Sequence, residues 1–257
     1  DDTTGLGLWP ATIICAKWMS QNSIVELLKD KVVVELGAGC GLPGLAAAFY
    51  GSPKSVYITD IHEPTLKNAT YNILQNMKQD ESSSTYIDYE SAFNNGGADR
   101  GQCQINGVSN ISTDVYVRNV SWTDKNTFPS ELADVLIGSD LVYDVGILSI
   151  LCPAVSAMLK FGGSFLYVAP DDARNGMDAL VQAMESIGLI CTNQEKCSDI
   201  MYANPLIKSS TVYKNKNKND NDNDNDTGDK DDDFVLHFYD LARKQPHTMY
   251  TFVKVNK

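Results

Sequence analysis

The sequence lacks any apolar run of the roughly 18 or more residues that a membrane-spanning helix needs, so no span is expected, and no signal peptide is visible at its start. Histidine is scarce. The three residues, His62, His237 and His247, have no spacing that suggests a ligand set or a catalytic triad. They read as surface or structural side chains. The six cysteines, Cys15, Cys40, Cys103, Cys152, Cys191 and Cys197, are scattered and include no CxxC pair. In 257 residues they read as reduced thiols of an intracellular protein, which excludes a disulfide framework and a zinc site. Basic residues are also in deficit: 21 Lys and Arg face 33 Asp and Glu, for a net charge of −12. That balance argues against a protein that coats nucleic acid by neutralising phosphates, and suits a cationic partner better.

What is present alternates between strand and helix. Residues 31–36 (KVVVEL) form a continuous β-branched run that ends at Gly37, the pattern of a buried parallel strand. Further strands are expected at 55–60, 114–120, 133–139, 163–169, 189–193 and 248–255, and helices at 11–19, 43–50, 64–77, 145–159 and 173–187. In the helix at 64–77, Leu66, Ala69, Ile73 and Met77 fall roughly on one face. Alternation at this spacing predicts an α/β fold, a Rossmann-like sheet that is mostly parallel with helices on both faces. No clear helix separates the last two strands, so that pair is expected to be antiparallel.

Two stretches interrupt the pattern within a single expected domain, 79–110 and 208–233. The first is rich in Ser, Asn and Gly without a sustained period. The second is dominated by an Asn/Asp run at 215–233 that carries −5 of the net charge. Both read as flexible insertions. A calcium loop in the acidic run fails at its twelfth position, where Phe234 stands in place of a bidentate Glu, so no metal site is expected.

The chemistry concentrates after the first strand, in Glu35-Leu36-Gly37-Ala38-Gly39-Cys40-Gly41. Glycines there let the chain turn sharply and let a ligand approach the backbone. The turn lies at the carboxyl end of a central strand, where open α/β sheets bind ligands. Asp60 ends the second strand and can accept hydrogen bonds from ribose hydroxyls. Two ligand classes fit these residues. Gly39-Cys40-Gly41-Leu42-Pro43-Gly44 satisfies GxGxxG with an acid about 20 residues on, the dinucleotide fingerprint. S-adenosylmethionine fits as well, and three features favour it. Glu35 stands where a carboxylate can meet the ligand's ammonium, only one such motif occurs, and the sheet is expected to close with an antiparallel strand, which the dinucleotide fold lacks.

Four stretches then carry a specific resemblance: Leu8-Trp9-Pro10-Ala11, Val34 to Gly44, Val120-Ser121-Trp122 and Gly138-Ser139-Asp140-Leu141-Val142-Tyr143. Together they resemble the class I, seven-β-strand S-adenosylmethionine-dependent methyltransferases. Within that class they resemble the methyltransferase-21-like group of protein-lysine methyltransferases. The resemblance implies a seven-stranded sheet with its last strand antiparallel and S-adenosylmethionine as cofactor. It implies cofactor contacts from Trp9, Glu35, Gly37, Ala38, Gly39, Gly41, Asp60, Trp122 and Ser139. Asp140 and Tyr143 match the DxxY motif that marks the active site. Ser121 departs from the group, which has an acid before the tryptophan.

The expected activity is transfer of a methyl group to a lysine of another protein, presented in a basic segment. Alternatives are a histidine, arginine or small-molecule acceptor, or cofactor binding without catalysis. The expected protein is a monomer that engages neither nucleic acid nor membrane. Its expected place is the cytoplasm, with the nucleus as the alternative.

Overall fold

The computed structural model describes residues 4–76, 99–108, 111–171, 174–202 and 245–256. Strand β1 (Val32–Leu36) is buried along its whole length and sits near the middle of the sheet. It pairs in parallel with β2 (Ser55–Asp60) on one side and β5 (Ala133–Ser139) on the other. Strands β4 (Ser112–Asn119) and β6 (Leu159–Pro170) extend the parallel part outward. Strand β8 (His247–Lys254) inserts antiparallel between β6 and the edge strand β7 (Leu189–Lys196). The final pair is therefore antiparallel, as its missing crossover predicts.

One expectation needs correction. The sheet has eight strands rather than seven, because residues 99–106 form β3 (Asp99–Asn106), antiparallel to β4 at the other edge. This strand lies inside the stretch read as a loop. Its sequence, DRGQCQIN, alternates weakly and holds a glycine, so nothing in its own period announces a strand. Edge pairing to β4 supplies the order instead. The rest of that stretch up to residue 98, residues 109–110, and the acidic insertion at 208–233 lie outside the described residues.

Helices cover both faces. On β1, Val33 packs into a core with α1 (Pro10–Met19), α2 (Asn22–Leu28), α3 (Leu42–Gly51) and α4 (Glu63–Asn76). Val34 and Leu36 point the other way, into a core with α5 (Leu148–Met158) and α6 (Met177–Ser186). This is the two-residue alternation of a strand buried on both faces. Each fully buried Val or Leu side chain contributes about 1.5–3 kcal/mol, so the central strands form a firm platform. Strand order reverses between β1 and β5, and the crevice outside their carboxyl ends is where ligands bind in open α/β sheets. Among the described residues no helix is long and apolar enough to cross a membrane.

Candidate active site

Strand β1 leaves the sheet through Gly37, Gly39 and Gly41, all with positive φ. Gly37 shows why the residue type matters. Its φ is +54°, and a Cβ there would stand 2.7 Å from Leu141 Cδ2 and 3.4 Å from the Trp122 ring. Side chains are excluded by conformation and by space together. Buried Ala38 donates its N–H to the Thr59 carbonyl at 2.8 Å, tying the turn to β2. The short N-terminal turn Thr4–Leu6 lies against Gly39, where a Cβ would meet the Gly5 carbonyl at 3.2 Å. The Cys40 thiol, raised above its ordinary pKa by burial, reaches the Leu6 carbonyl at 3.4 Å. It pins that segment and stays protonated.

Glu35 sits beneath the turn, 1% exposed, on the α3 side of β1. Its Oε2 accepts the Gly44 N–H at 2.9 Å. A Cβ on Gly44 would stand 2.5 Å from that oxygen, so glycine is what lets the helix approach the carboxylate. Burial pushes the Glu35 pKa up from 4.5 to about 8, against the pull of the Gly44 hydrogen bond. This geometry separates the two ligand classes. A dinucleotide lays its pyrophosphate on free amides of the helix N-terminus. Here Pro43 has no N–H and the Gly44 N–H is already taken.

Asp60 closes β2 beside the turn. One carboxylate oxygen accepts the Gly39 N–H at 3.1 Å, and the other accepts Ile61 at 2.8 Å and His62 at 3.1 Å. The carboxylate is thus fixed in orientation while remaining partly exposed. Trp122 packs partly buried against the β1–β5 core, next to Gly37. Ser121, just before it, is occupied locally: its N–H donates to Thr127 Oγ1 at 3.0 Å and its hydroxyl pairs with Thr123 at 3.0 Å. Trp9 precedes α1 and is 44% exposed. The first turn of α1 lies against the end of β5, where Thr12 Oγ1 meets Ser139 Oγ at 3.2 Å.

At the end of β5, Asp140 adopts a left-handed conformation, φ +52°, which a short polar side chain tolerates. Its N–H donates to the Val168 carbonyl at 2.9 Å. The next turn is held from below by the Tyr167 hydroxyl, which accepts the N–H groups of Leu141 and Val142, each at 3.0 Å. Tyr167 is fully buried, and burial raises its pKa, so the hydroxyl is neutral. Tyr143 stands beyond the turn, 63% exposed.

Three groups here are not visible from sequence. Arg174, on the loop before α6, grips Asp140 with both arms of its fork: Nε to Oδ1 at 2.7 Å and Nη2 to Oδ2 at 2.6 Å. The hydrogen bond to Asp140 raises the Arg174 pKa further. Asp171 accepts a short hydrogen bond from the Thr248 hydroxyl and pairs with Lys196 at 2.6 Å. His247, read above as surface or structural, is 1% exposed at the start of β8, and its Nδ1 has no partner among the described residues. Its backbone N–H donates to the Tyr202 hydroxyl at 2.8 Å, and burial lowers the imidazole's pKa. These side chains come from β6, β7, β8 and their loops. The helix expected at 173–187 begins only at Met177, after Gly176 at φ +113°, so Arg174 lies in the loop before it, where the sequence pattern gave it no role.

The family model described as lysine methyltransferase matches residues 1–96. The human protein-lysine N-methyltransferase EEF2KMT is 36% identical over 74 residues, which make up 29% of this chain and 22% of that protein. The zebrafish (Danio rerio) protein N-lysine methyltransferase METTL21A is 27% identical over 137 residues, 53% of this chain and 47% of that protein. The chain therefore spans about a fifth to a half of the length of these two relatives. Among solved structures, the N-methyltransferase NodS of Bradyrhizobium japonicum, in complex with S-adenosyl-L-homocysteine, has a TM-score of 0.51 at 10% identity, covering 95% of this chain and 86% of that one. The chain thus resembles the lysine methyltransferases in its first 96 residues and shares the Rossmann-like methyltransferase fold along most of its length.

Proposed function

We propose that the protein is an S-adenosylmethionine-dependent methyltransferase that modifies a lysine side chain of another protein. One observation carries the reading. The open glycine turn of β1, the fixed carboxylate of Asp60 and the carboxylate of Asp140 all meet at the carboxyl ends of adjacent strands. The similarity to EEF2KMT and METTL21A supports the acceptor class.

The residues fit the cofactor on their own chemistry. Asp60 presents a pre-oriented acceptor for ribose hydroxyls, with Trp122 beside the turn as an aromatic wall. Gly37, Ala38, Gly39 and Gly41 offer bare backbone to the methionine part, and Trp9 and Ser139 flank the crevice from α1 and β5. Glu35 supports the turn from beneath through Gly44. When bound, S-adenosylmethionine supplies an activated methyl group on a sulfonium. The acceptor nitrogen needs alignment with that methyl group and a free lone pair. Asp140 can accept a hydrogen bond from the amine and orient it, and exposed Tyr143 can flank the entering side chain. The acidic surface suits a basic substrate segment.

The test mixes the purified protein with methyl-labelled S-adenosylmethionine and an extract of its source cells. We expect a labelled protein band, and a loss of about 100-fold or more in Asp140→Asn. Asn tolerates the left-handed backbone, so cofactor binding by calorimetry should survive that change. Label confined to small molecules, or no label despite cofactor binding, would overturn the reading.

A further inference from the structure

Asp140 does not wait in the crevice as a bare anion. Arg174 holds both of its oxygens, and the pair is largely withdrawn from solvent, with side-chain exposures of 10% for Asp140 and 23% for Arg174. A bidentate, partly buried pair of this kind is costly to break, because the partner left behind is an unpaired charge. Resting on the methyltransferase reading above, we propose that Arg174 is a positioning residue that stays on Asp140 during transfer and keeps the acceptor lysine's amine neutral.

The argument is electrostatic. A lysine has an ordinary pKa near 10.4 and arrives as an ammonium with no lone pair. A free carboxylate would hold it in that form, since an opposite charge favours the ionised state. A carboxylate already neutralised by a guanidinium does so far less. The guanidinium also repels a second cation beside it, and that repulsion lowers an amine's pKa. The Asp140–Arg174 pair can therefore accept a hydrogen bond from the amine N–H without stabilising its charge. The ammonium releases its proton to solvent. The neutral nitrogen's lone pair then forms the N–C bond as the C–S bond breaks, and that bond's electron pair goes to sulfur. The products are a methylammonium and a thioether.

The neighbours leave the amine as the titrating group. Tyr167, below the pair, is held neutral by burial. His247 is lowered by burial and is uncharged at neutral pH. Asp171 is matched by Lys196 and Thr248. Tyr143 is exposed beyond the turn. Glu35 titrates near 8 but lies under the glycine turn, and its contribution is common to wild type and variants.

The test is the pH profile of labelling of source-cell protein extract by the full chain with methyl-labelled S-adenosylmethionine, from about pH 6.5 to about pH 10, across the ordinary lysine range. Wild type, Arg174→Gln and Arg174→Lys are compared, with cofactor binding by calorimetry as the check on folding. Arg174→Gln should label about tenfold more slowly than wild type at pH 7, the effect of one pKa unit in the acceptor, and should recover to within about threefold near pH 10. Arg174→Lys keeps the charge and loses the fork, so it should lower the rate without moving the acidic limb. Arg174→Met also removes the charge and carries the same expectation as the Gln variant if that variant does not fold. A Gln profile parallel to wild type would overturn the proposal and leave the methyltransferase reading standing. So would variants that bind cofactor but stay inactive at every pH. Faster labelling by Arg174→Gln at pH 7 would also overturn it, by showing that the guanidinium blocks the carboxylate. Absence of label in wild type would remove both readings.

Discussion

Strands β1 and β5 run side by side, with Leu36 opposite Gly138, yet the two ends of this pair are built in opposite ways. The β1 end is made of backbone. Three positive-φ glycines, one amide held by Thr59 and one held by Glu35 shape it, and the residues involved lie within 26 positions of sequence, from Glu35 to Asp60. The β5 end is made of side chains brought from far away. Asp140 is fixed by Val168 and Arg174, its following turn by Tyr167, and its surroundings by Asp171, Lys196 and His247. A backbone site tolerates few sequences and reads as a motif. A side-chain site can be assembled from many sequences, so the same geometry leaves little trace in any one of them. The family match follows this division: it covers residues 1–96, which contain the whole of the first end and none of the second.

The sharpest way to break the comparison is to put a side chain into the backbone end. Gly37→Val forces a β-branched residue into φ +54° with a Cβ 2.7 Å from Leu141. We expect a loss of about 3 kcal/mol in urea unfolding and the disappearance of cofactor binding in calorimetry. Normal cofactor binding with reduced transfer would mean that Leu141, which also lies against Gly138, passes the disturbance to Asp140 instead. The ends would then not be separable. The matching change at the other end is Tyr167→Phe. It removes the one acceptor shared by the Leu141 and Val142 amides in a fully buried position. The expected loss is about 2 kcal/mol, with transfer reduced and cofactor affinity unchanged. A fall in cofactor affinity equal to that in transfer would erase the distinction.

The same contrast explains what could be read in advance. The strands from β4 to β8, the mostly parallel sheet and its antiparallel close follow from β-branched runs and connection lengths, which are local properties. Strand β3 does not, because its order comes from pairing with β4 and its own residues lack a period. The glycine turn, Asp60 and the Asp140–Tyr143 motif are local and were legible. Arg174 was not, since 34 residues separate it from Asp140 and nothing in the loop before α6 favours arginine over any other polar residue. Glu35 was legible as a residue and not as a geometry. Its place in the motif suggests a ligand contact, and strand alternation sets it on the α3 face, where Gly44 supplies a partner the sequence did not announce.

That placement gives the finest test of a backbone-built end, because Glu35 is a fully buried carboxyl group within it. Burial raises the folded-state pKa from 4.5 to about 8. Between those values the folded protein binds more protons than the unfolded chain, so stability must fall as pH rises. The stabilisation is complete below about pH 4.5, declines through the neutral range and is exhausted above about pH 8. From pH 6 to pH 8 this group alone should remove about 2 kcal/mol. Glu35→Gln has no proton to lose and should flatten that part of the profile, whatever its absolute stability. The measurement is urea unfolding of both proteins at several pH values, read as the difference in slope. Equal slopes would mean that Glu35 is already ionised at pH 6 in the folded protein. The turn would then be held by a charge resting on the Gly44 amide, and the β1 end would owe its shape to a side chain as much as the β5 end does.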